Sequence, residues 1–208
     1  MSAIRAFLAV EIGIEARRAA SVVARRLARE VRGREVRWAR PETYHLTLRF
    51  LGEIAEEQAV PLAARVAETV ADLAPFELRL GALAAFPSPR RPRVVAVTVE
   101  PEAPLLALAR RVEAAVIHAG LPGEERVYRP HLTLGRVRDR ALPDLGAAEP
   151  IDAKPFRVAE VVLFASDLRA EGAVHTPLER IALGVTGPHS TTSTSEGAEV
   201  HGEERPTL

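Results

Sequence analysis

The same four residues occur twice in this chain. His45-Leu46-Thr47-Leu48 returns 86 residues later as His131-Leu132-Thr133-Leu134. Each copy follows a proline, Pro41 or Pro130, and each lies in a segment with the alternation of a β-strand. Residues two apart in a strand share a face. His45 and Thr47 therefore point one way, and Leu46 and Leu48 the other. The second copy repeats the pattern. The leucines can anchor each strand in a core while an imidazole and a hydroxyl project together. A repeat of this kind organises a whole chain. If two lobes related by a rough two-fold axis carry the copies, one cleft receives two histidines and two threonines.

Two imidazoles that titrate near neutrality can act as base and acid in one step. Two hydroxyls can hydrogen-bond the oxygens of an anion. The combination suits phosphodiester chemistry without a metal. One histidine deprotonates the attacking oxygen, the other protonates the leaving oxygen, and the hydroxyls hold the phosphoryl group. A single His-x-Thr in a strand would more often be structural, but two copies in matching contexts favour function. Zinc binding is the competing reading. Neither copy has an Asp, Glu, His or Cys at ligand spacing, so no metal is expected.

The rest of the chain reads as strands and helices in neither strict alternation nor separate runs. Residues 4–12 form an apolar run fit for a buried strand. Ala16, Ala20, Val23, Leu27 and Val31 give a helix over 15–32, which Gly33 ends. Val36 to Arg40 is a short extended piece, and 43–51 is a strand. A second helix is predicted over 56–73, with Pro61 near its first turn. Strands follow at 76–86 and 93–100, joined by Pro87-Ser88-Pro89-Arg90-Arg91-Pro92. A third helix over 103–119 carries a Leu105, Leu108, Val112, Val116 stripe. Strands are predicted at 130–137, 156–166 and 174–183, with a loop over 139–155. This order fits an α+β class better than a strict βαβ series. There is no GxGxxG or GxxxxGK[ST] segment, so a Rossmann or P-loop site is not expected.

Composition narrows the function further. The 28 basic and 28 acidic residues sum to zero, which argues against a nonspecific nucleic-acid coat. The sum covers unlike parts. Residues 185–208 hold four glutamates against one arginine, so that segment is −3 and residues 1–184 are +3. The segment lacks apolar periodicity and is expected to be a disordered acidic tail behind a single domain over 1–184. Lys154 is the only lysine; every other basic residue is arginine, whose planar fork binds phosphate bidentately. Without cysteine there is no disulfide, thiolate zinc site or cysteine nucleophile. No apolar run approaches the roughly 18 residues of a membrane span, and Met1-Ser2-Ala3-Ile4-Arg5 shows no signal peptide. A soluble, cytoplasmic, monomeric protein is expected.

The residues around the two copies resemble a known superfamily. His45-Leu46-Thr47-Leu48-Arg49-Phe50-Leu51-Gly52-Glu53 and Arg129-Pro130-His131-Leu132-Thr133-Leu134-Gly135-Arg136 look like the paired motifs of the two-histidine (2H) phosphoesterases. They are most similar to the bacterial RNA 2′,3′-cyclic phosphodiesterases, also called 2′-5′ RNA ligases. Phe7-Leu8-Ala9-Val10-Glu11-Ile12 resembles that group's first strand, and Thr176-Pro177-Leu178 matches its last. The resemblance covers roughly residues 3–184. It implies a bilobal α+β fold, with two pseudo-symmetric lobes of antiparallel sheet around a central groove and helices outside.

The resemblance also implies hydrolysis of a terminal 2′,3′-cyclic phosphate to a 2′-phosphate without a cofactor, with reversible 2′-5′ ligation as a side activity. On that reading His45 is the general acid on the 3′ oxygen and His131 the general base on water. Thr47, Thr133 and Arg136 bind phosphate, although Arg136 is out of phase with His131 in an ideal strand. Arg129 and Arg49 are in phase with their histidines and are candidate RNA contacts. Phe7 is a candidate for stacking a terminal base, and Arg90 and Arg91 for steering RNA to the groove. Tyr44 and Trp38 are expected to pack in the core. The partners expected are RNA ends or cyclic-phosphate nucleotides. The alternatives are a small cyclic nucleotide such as ADP-ribose cyclic phosphate, and a groove that binds RNA ends without turnover.

Overall fold

The structure is a computed structural model and describes residues 2–30, 36–138, 149–169 and 172–184. The acidic segment 185–208, Gly33 and most of the expected 139–155 loop lie outside the described residues. The first half of the chain runs from strand β1 (Ala3–Glu11) through helix α1 (Ile14–Glu30) to the short strand β2 (Val36–Trp38). A 3-10 turn at Pro41–Thr43 leads into strand β3 (His45–Ala55), and a second one at Glu56–Gln58 into helix α2 (Ala59–Val70). The second half contains β4 (Phe76–Phe86), β5 (Val94–Glu100), α3 (Glu102–His118), β6 (Leu132–Val137), β7 (Phe156–Val158), β8 (Glu160–Arg169) and β9 (Gly172–Ala182).

The strands form one antiparallel sheet in the order β7-β4-β5-β6-β3-β1-β8-β9, with β2 added to β6. Read outward from the middle, β3 matches β6, β1 matches β5, and β8 matches β4. The unit β1-α1-β3 is repeated as β5-α3-β6, and α1 and α3 have 17 residues each. The pseudo-two-fold axis falls between β3 and β6, where Leu46 and Leu132 are register partners. Equivalent leucines of the two tetrapeptides therefore meet at the centre of the molecule. The α+β, pseudo-symmetric expectation holds.

The helices cover one face of the sheet, and the periodicity of each explains why. Leu105, Leu108, Val112 and Val116 of α3 are fully buried, as are Leu62, Val66 and Val70 of α2. Each such side chain contributes roughly 1.5–3 kcal/mol by burial. Pro61 sits in the first turn of α2, where no helical bond needs its missing N–H. Strand β1 explains its own apolar run. Ala6, Leu8 and Val10 join the core against the helices, while Phe7 and Ala9 form a separate cluster with Val162 and Phe164 on the opposite face. A strand buried on both faces cannot show alternation.

One expected element was wrong. The strand read over 156–166 is two strands, since β7 pairs with β4 and β8 pairs with β1. The chain changes from one half of the sheet to the other at Ala159, whose carbonyl accepts the Leu183 N–H at 2.8 Å. The apolar run Phe156-Arg157-Val158-Ala159-Glu160-Val161 contains no glycine or proline to mark the change.

Candidate active site

Pro41 opens the 3-10 turn that delivers the chain to β3, and the Tyr44 N–H closes that turn on the Pro41 carbonyl at 3.1 Å. The Tyr44 ring is buried in the core, as expected from its phase. The next residue, His45, therefore starts its strand from an anchored position. Its Nδ1–H donates to the Thr43 carbonyl at 2.7 Å. His131 Nδ1–H donates to the Arg129 carbonyl, also at 2.7 Å. The two acceptors stand at equivalent places, two residues before each histidine. A carbonyl can only accept, so each bond fixes Nδ1 as the protonated nitrogen and leaves Nε2 for a substrate. His45 Nε2 lies 3.0 Å from Thr47 Oγ1, which joins imidazole and hydroxyl into one unit.

Both strands break their regular pairing just after the motif, and at the same place. Between β1 and β3, Ala9 pairs with Thr47 but Leu8 pairs with Arg49, so Leu48 is an extra residue. Between β5 and β6, Ala96 pairs with Thr133 but Val95 pairs with Gly135, so Leu134 is the extra one. A β-bulge of this type shifts the two-residue alternation by one. Arg136 is thereby brought round to the side of His131 and Thr133, and its charge acts on His45. The odd spacing that set Arg136 on the wrong face of an ideal strand is undone by the bulge.

The same shift overturns the expectation for Arg49. It turns away from the groove toward α3. There its Nε lies 2.6 Å from Glu113 Oε2, a contact of charges rather than an aligned hydrogen bond. Its Nη1 lies 3.8 Å from Glu124, and further guanidinium bonds go to the carbonyls of Phe50 and Pro122. With an 11% exposed side chain, Arg49 is a tether between the halves and is not available to RNA. Phe50, its neighbour, turns the other way. A second bulge at Leu51 restores the original phase by Gly52, which takes φ +75.

Aromatic rings surround both imidazoles. Phe7 lies 4.8 Å from the His45 ring, and Phe86 is stacked on His131 at 4.7 Å. Phe7 is 2% exposed, sandwiched by Phe164 at 5.2 Å and His175 at 4.9 Å. The expected stacking of an RNA base on Phe7 is therefore ruled out by its burial; Phe7 supports His45 instead. His175, which starts far away in sequence, meets His45 edge-on at 5.3 Å. Burial first, then the positive charge of His175, His131 and Arg136, pushes the His45 pKa down to about 4, opposed by the Thr43 hydrogen bond. Burial and Arg40 lower His175 as well.

The other arginines lie at the edge. Arg129 is exposed and donates to the Pro87 carbonyl at 3.2 Å, on the connection that also carries the exposed Arg90 and Arg91. Trp38 packs partly buried against the core near Gly135. Phe50, Phe86 and Phe164 are the groove residues that strand parity did not single out. Among the described residues no three His, Asp or Glu side chains are gathered as metal ligands. No helix among them is long and apolar enough to cross a membrane.

Two symmetry-related strands that each present an Nε2 and a threonine hydroxyl, beside an arginine, define a two-histidine phosphoesterase. Comparison with known proteins agrees. The LigT-like phosphoesterase family matches residues 12–96 and 97–175, and the chain belongs to that family. The RNA 2′,3′-cyclic phosphodiesterase of Methanothermobacter thermautotrophicus is 32% identical over 185 residues, covering 86% of this chain and 99% of that protein. The one from Thermus thermophilus is 34% identical over 188 residues, covering 86% and 90%. Among solved structures, TT0787 of Thermus thermophilus superposes with a TM-score of 0.73 at 31% identity, covering 87% of this chain and 98% of that one. Escherichia coli LigT complexed with 3′-AMP gives 0.72 at 25% identity, covering 88% and 99%.

Proposed function

We propose that this protein hydrolyses terminal RNA 2′,3′-cyclic phosphates to 2′-phosphates, with His131 as base and His45 as acid. His131 Nε2 takes a proton from water, and the water oxygen attacks phosphorus as the bond to O3′ breaks. His45 Nε2 delivers its proton to O3′. The products are a 2′-phosphate and a 3′-hydroxyl, and the two histidines have exchanged protonation states. Thr47, Thr133 and Arg136 hold the phosphoryl oxygens as negative charge moves onto them. An RNA 5′-hydroxyl in place of water gives a 2′-5′ linkage by the same bond changes.

The observation that carries this reading is the pair of imidazoles with matched Nδ1–H bonds to backbone carbonyls. A groove that only bound RNA ends would need neither an acid nor a base. The lowered pKa of His45 is that of the free protein. A phosphodiester anion placed among Arg136, His131 and His45 offsets the neighbouring positive charge and favours the imidazolium that an acid requires. Both motifs come from one chain, so a single copy carries the complete pair of histidines. The test is turnover of a cyclic-phosphate-ended oligonucleotide, a cyclic mononucleotide and ADP-ribose cyclic phosphate, each in EDTA. Preference for the oligonucleotide supports the RNA reading; preference for ADP-ribose cyclic phosphate replaces it.

A further inference from the structure

We propose that Arg40 holds the phosphate on the 5′ oxygen of the terminal nucleotide, the linkage to the rest of an RNA chain, so that the groove grips two successive phosphates. This rests on the phosphodiesterase reading above and names the substrate class, an RNA end rather than a mononucleotide. Arg40 is tied to the site at two points. Its carbonyl accepts the Thr43 N–H at 2.9 Å and the Thr43 hydroxyl at 2.7 Å, and the Thr43 carbonyl in turn holds Nδ1–H of His45. Its exposed guanidinium reaches across to β9 and donates from Nη2 to the Ala173 carbonyl at 3.2 Å. Two residues on, His175 meets the His45 ring edge-on at 5.3 Å. Arg40 thus stands one ring away from the reacting imidazole.

Arg136 and Arg40 serve different places in the groove. The charge of Arg136 acts on His45, and that of Arg40 on His175. A guanidinium carries five N–H donors, and Arg40 uses one on Ala173. Among the described residues no carboxylate pairs with it. Arg126 provides the contrast, standing five residues before His131 as Arg40 stands five before His45. Arg126 is closed by a bidentate pair to Glu124 at 2.9 and 2.7 Å. An exposed arginine fixed beside the histidines, with most of its fork open, is suited to a pair of phosphate oxygens. The connectivity of ribose selects which phosphate. C5′ is carried on C4′, which is bonded to C3′, so the 5′ substituent leaves the sugar on the O3′ side. O3′ is the oxygen that His45 protonates, and Arg40 lies on the His45 side.

The experiment compares kcat/KM for adenosine 2′,3′-cyclic phosphate, its 5′-phosphorylated form and the adenosine dinucleotide with a 2′,3′-cyclic phosphate end. Wild type, Arg40→Gln and Arg40→Lys are assayed, and folding is checked by thermal melting. Wild type should prefer both substrates that carry a 5′-phosphate over the plain nucleoside by about tenfold. Arg40→Gln should remove that preference for both, and Arg40→Lys should keep part of it through its charge. A wild type without the preference overturns the proposal whatever the variants do. So does a dinucleotide preference that survives Arg40→Gln, or a loss in Arg40→Gln that is equal for all three substrates, which marks a residue acting through His45. A preference confined to the phosphorylated mononucleotide overturns the RNA linkage as the ligand. If wild type turns over none of the three, the phosphodiesterase reading falls, and calorimetry decides Arg40 by itself. Arg40→Gln must then weaken adenosine 2′,5′-bisphosphate relative to adenosine 2′-phosphate, and an equal change for both overturns the subsite.

Discussion

His45 is a residue whose neighbours work against its charge. In the free protein it is neutral down to about pH 4, against an ordinary value of 6.5. Nitrogen NMR of the free protein should show the Nδ1–H form through neutral pH. Saturation with a nucleoside 2′-phosphate should move the titration upward; if it does not move, the acid role passes to His131. The same shift links folding to pH. A folded pKa below the unfolded one means that the unfolded chain binds more protons between about pH 6.5 and 4. His45 therefore costs nothing above that window and destabilises the fold as pH falls through it, by on the order of 3 kcal/mol. Urea denaturation at about pH 7 and about pH 4.5 should show a smaller drop for His45→Gln than for wild type. Arg136→Gln should lower kcat/KM by roughly 10²-fold with melting unchanged, because it removes charge stabilisation of the phosphoryl group.

At the scale of elements, the bulges decide what strand parity gets wrong. The repeated tetrapeptide was legible because regular alternation holds from His45 to Thr47 and from His131 to Thr133. Past those points one extra residue inverts the phase, and a bulge leaves no fixed mark in sequence. Regular alternation thus assigns Arg49 to the groove, whereas its side chain takes the opposite side and that of Phe50 turns to the groove instead. Phe7 was misread for a different reason. Its strand is buried on both faces, so an apolar run says nothing about which residues reach solvent. The helices were read well because 3.6-residue periodicity survives over several turns. The switch from β7 to β8 was not, since pairing partners are set by distant strands.

Gly135 shows what holds the bulge in β6 in place. A Cβ there would lie 2.6 Å from Val36 Cγ1 and 3.2 Å from the Arg37 carbonyl, so β2 sits on β6 only over a glycine. Gly135→Ala should cost roughly 1–3 kcal/mol, as overpacking does, and reduce activity by moving Arg136. A variant as stable as wild type would mean that the close seating of β2 is not what secures this region.

Across the whole molecule, the halves are interlocked at equivalent places. Gly135, in the C-terminal half, admits β2 from the N-terminal half. Arg49, at the matching position, reaches Glu113 on α3 and the 122–124 turn. Glu113 also accepts the Glu124 N–H at 2.7 Å. Arg49→Ala would leave the partly buried Glu113 carboxylate without its cation, while Glu124 keeps Arg126, at a cost of roughly 1–3 kcal/mol. Urea unfolding reads this directly, and a loss below about 0.5 kcal/mol would reduce the tether to an ordinary surface pair.

Several arginines are paired with carboxylates away from the groove, while Arg136 stands with the histidines. The pseudo-symmetry then concentrates the chemistry on two imidazoles. The most direct measurement is turnover of an oligonucleotide with a 2′,3′-cyclic phosphate, in EDTA, by wild type, His45→Ala and His131→Ala. Wild type should yield the 2′-phosphate, and each variant should be slower by about 10²–10⁴-fold while melting like a folded protein. Undiminished turnover in either folded variant, or a wild-type reaction abolished by EDTA, would contradict metal-independent catalysis by the histidine pair.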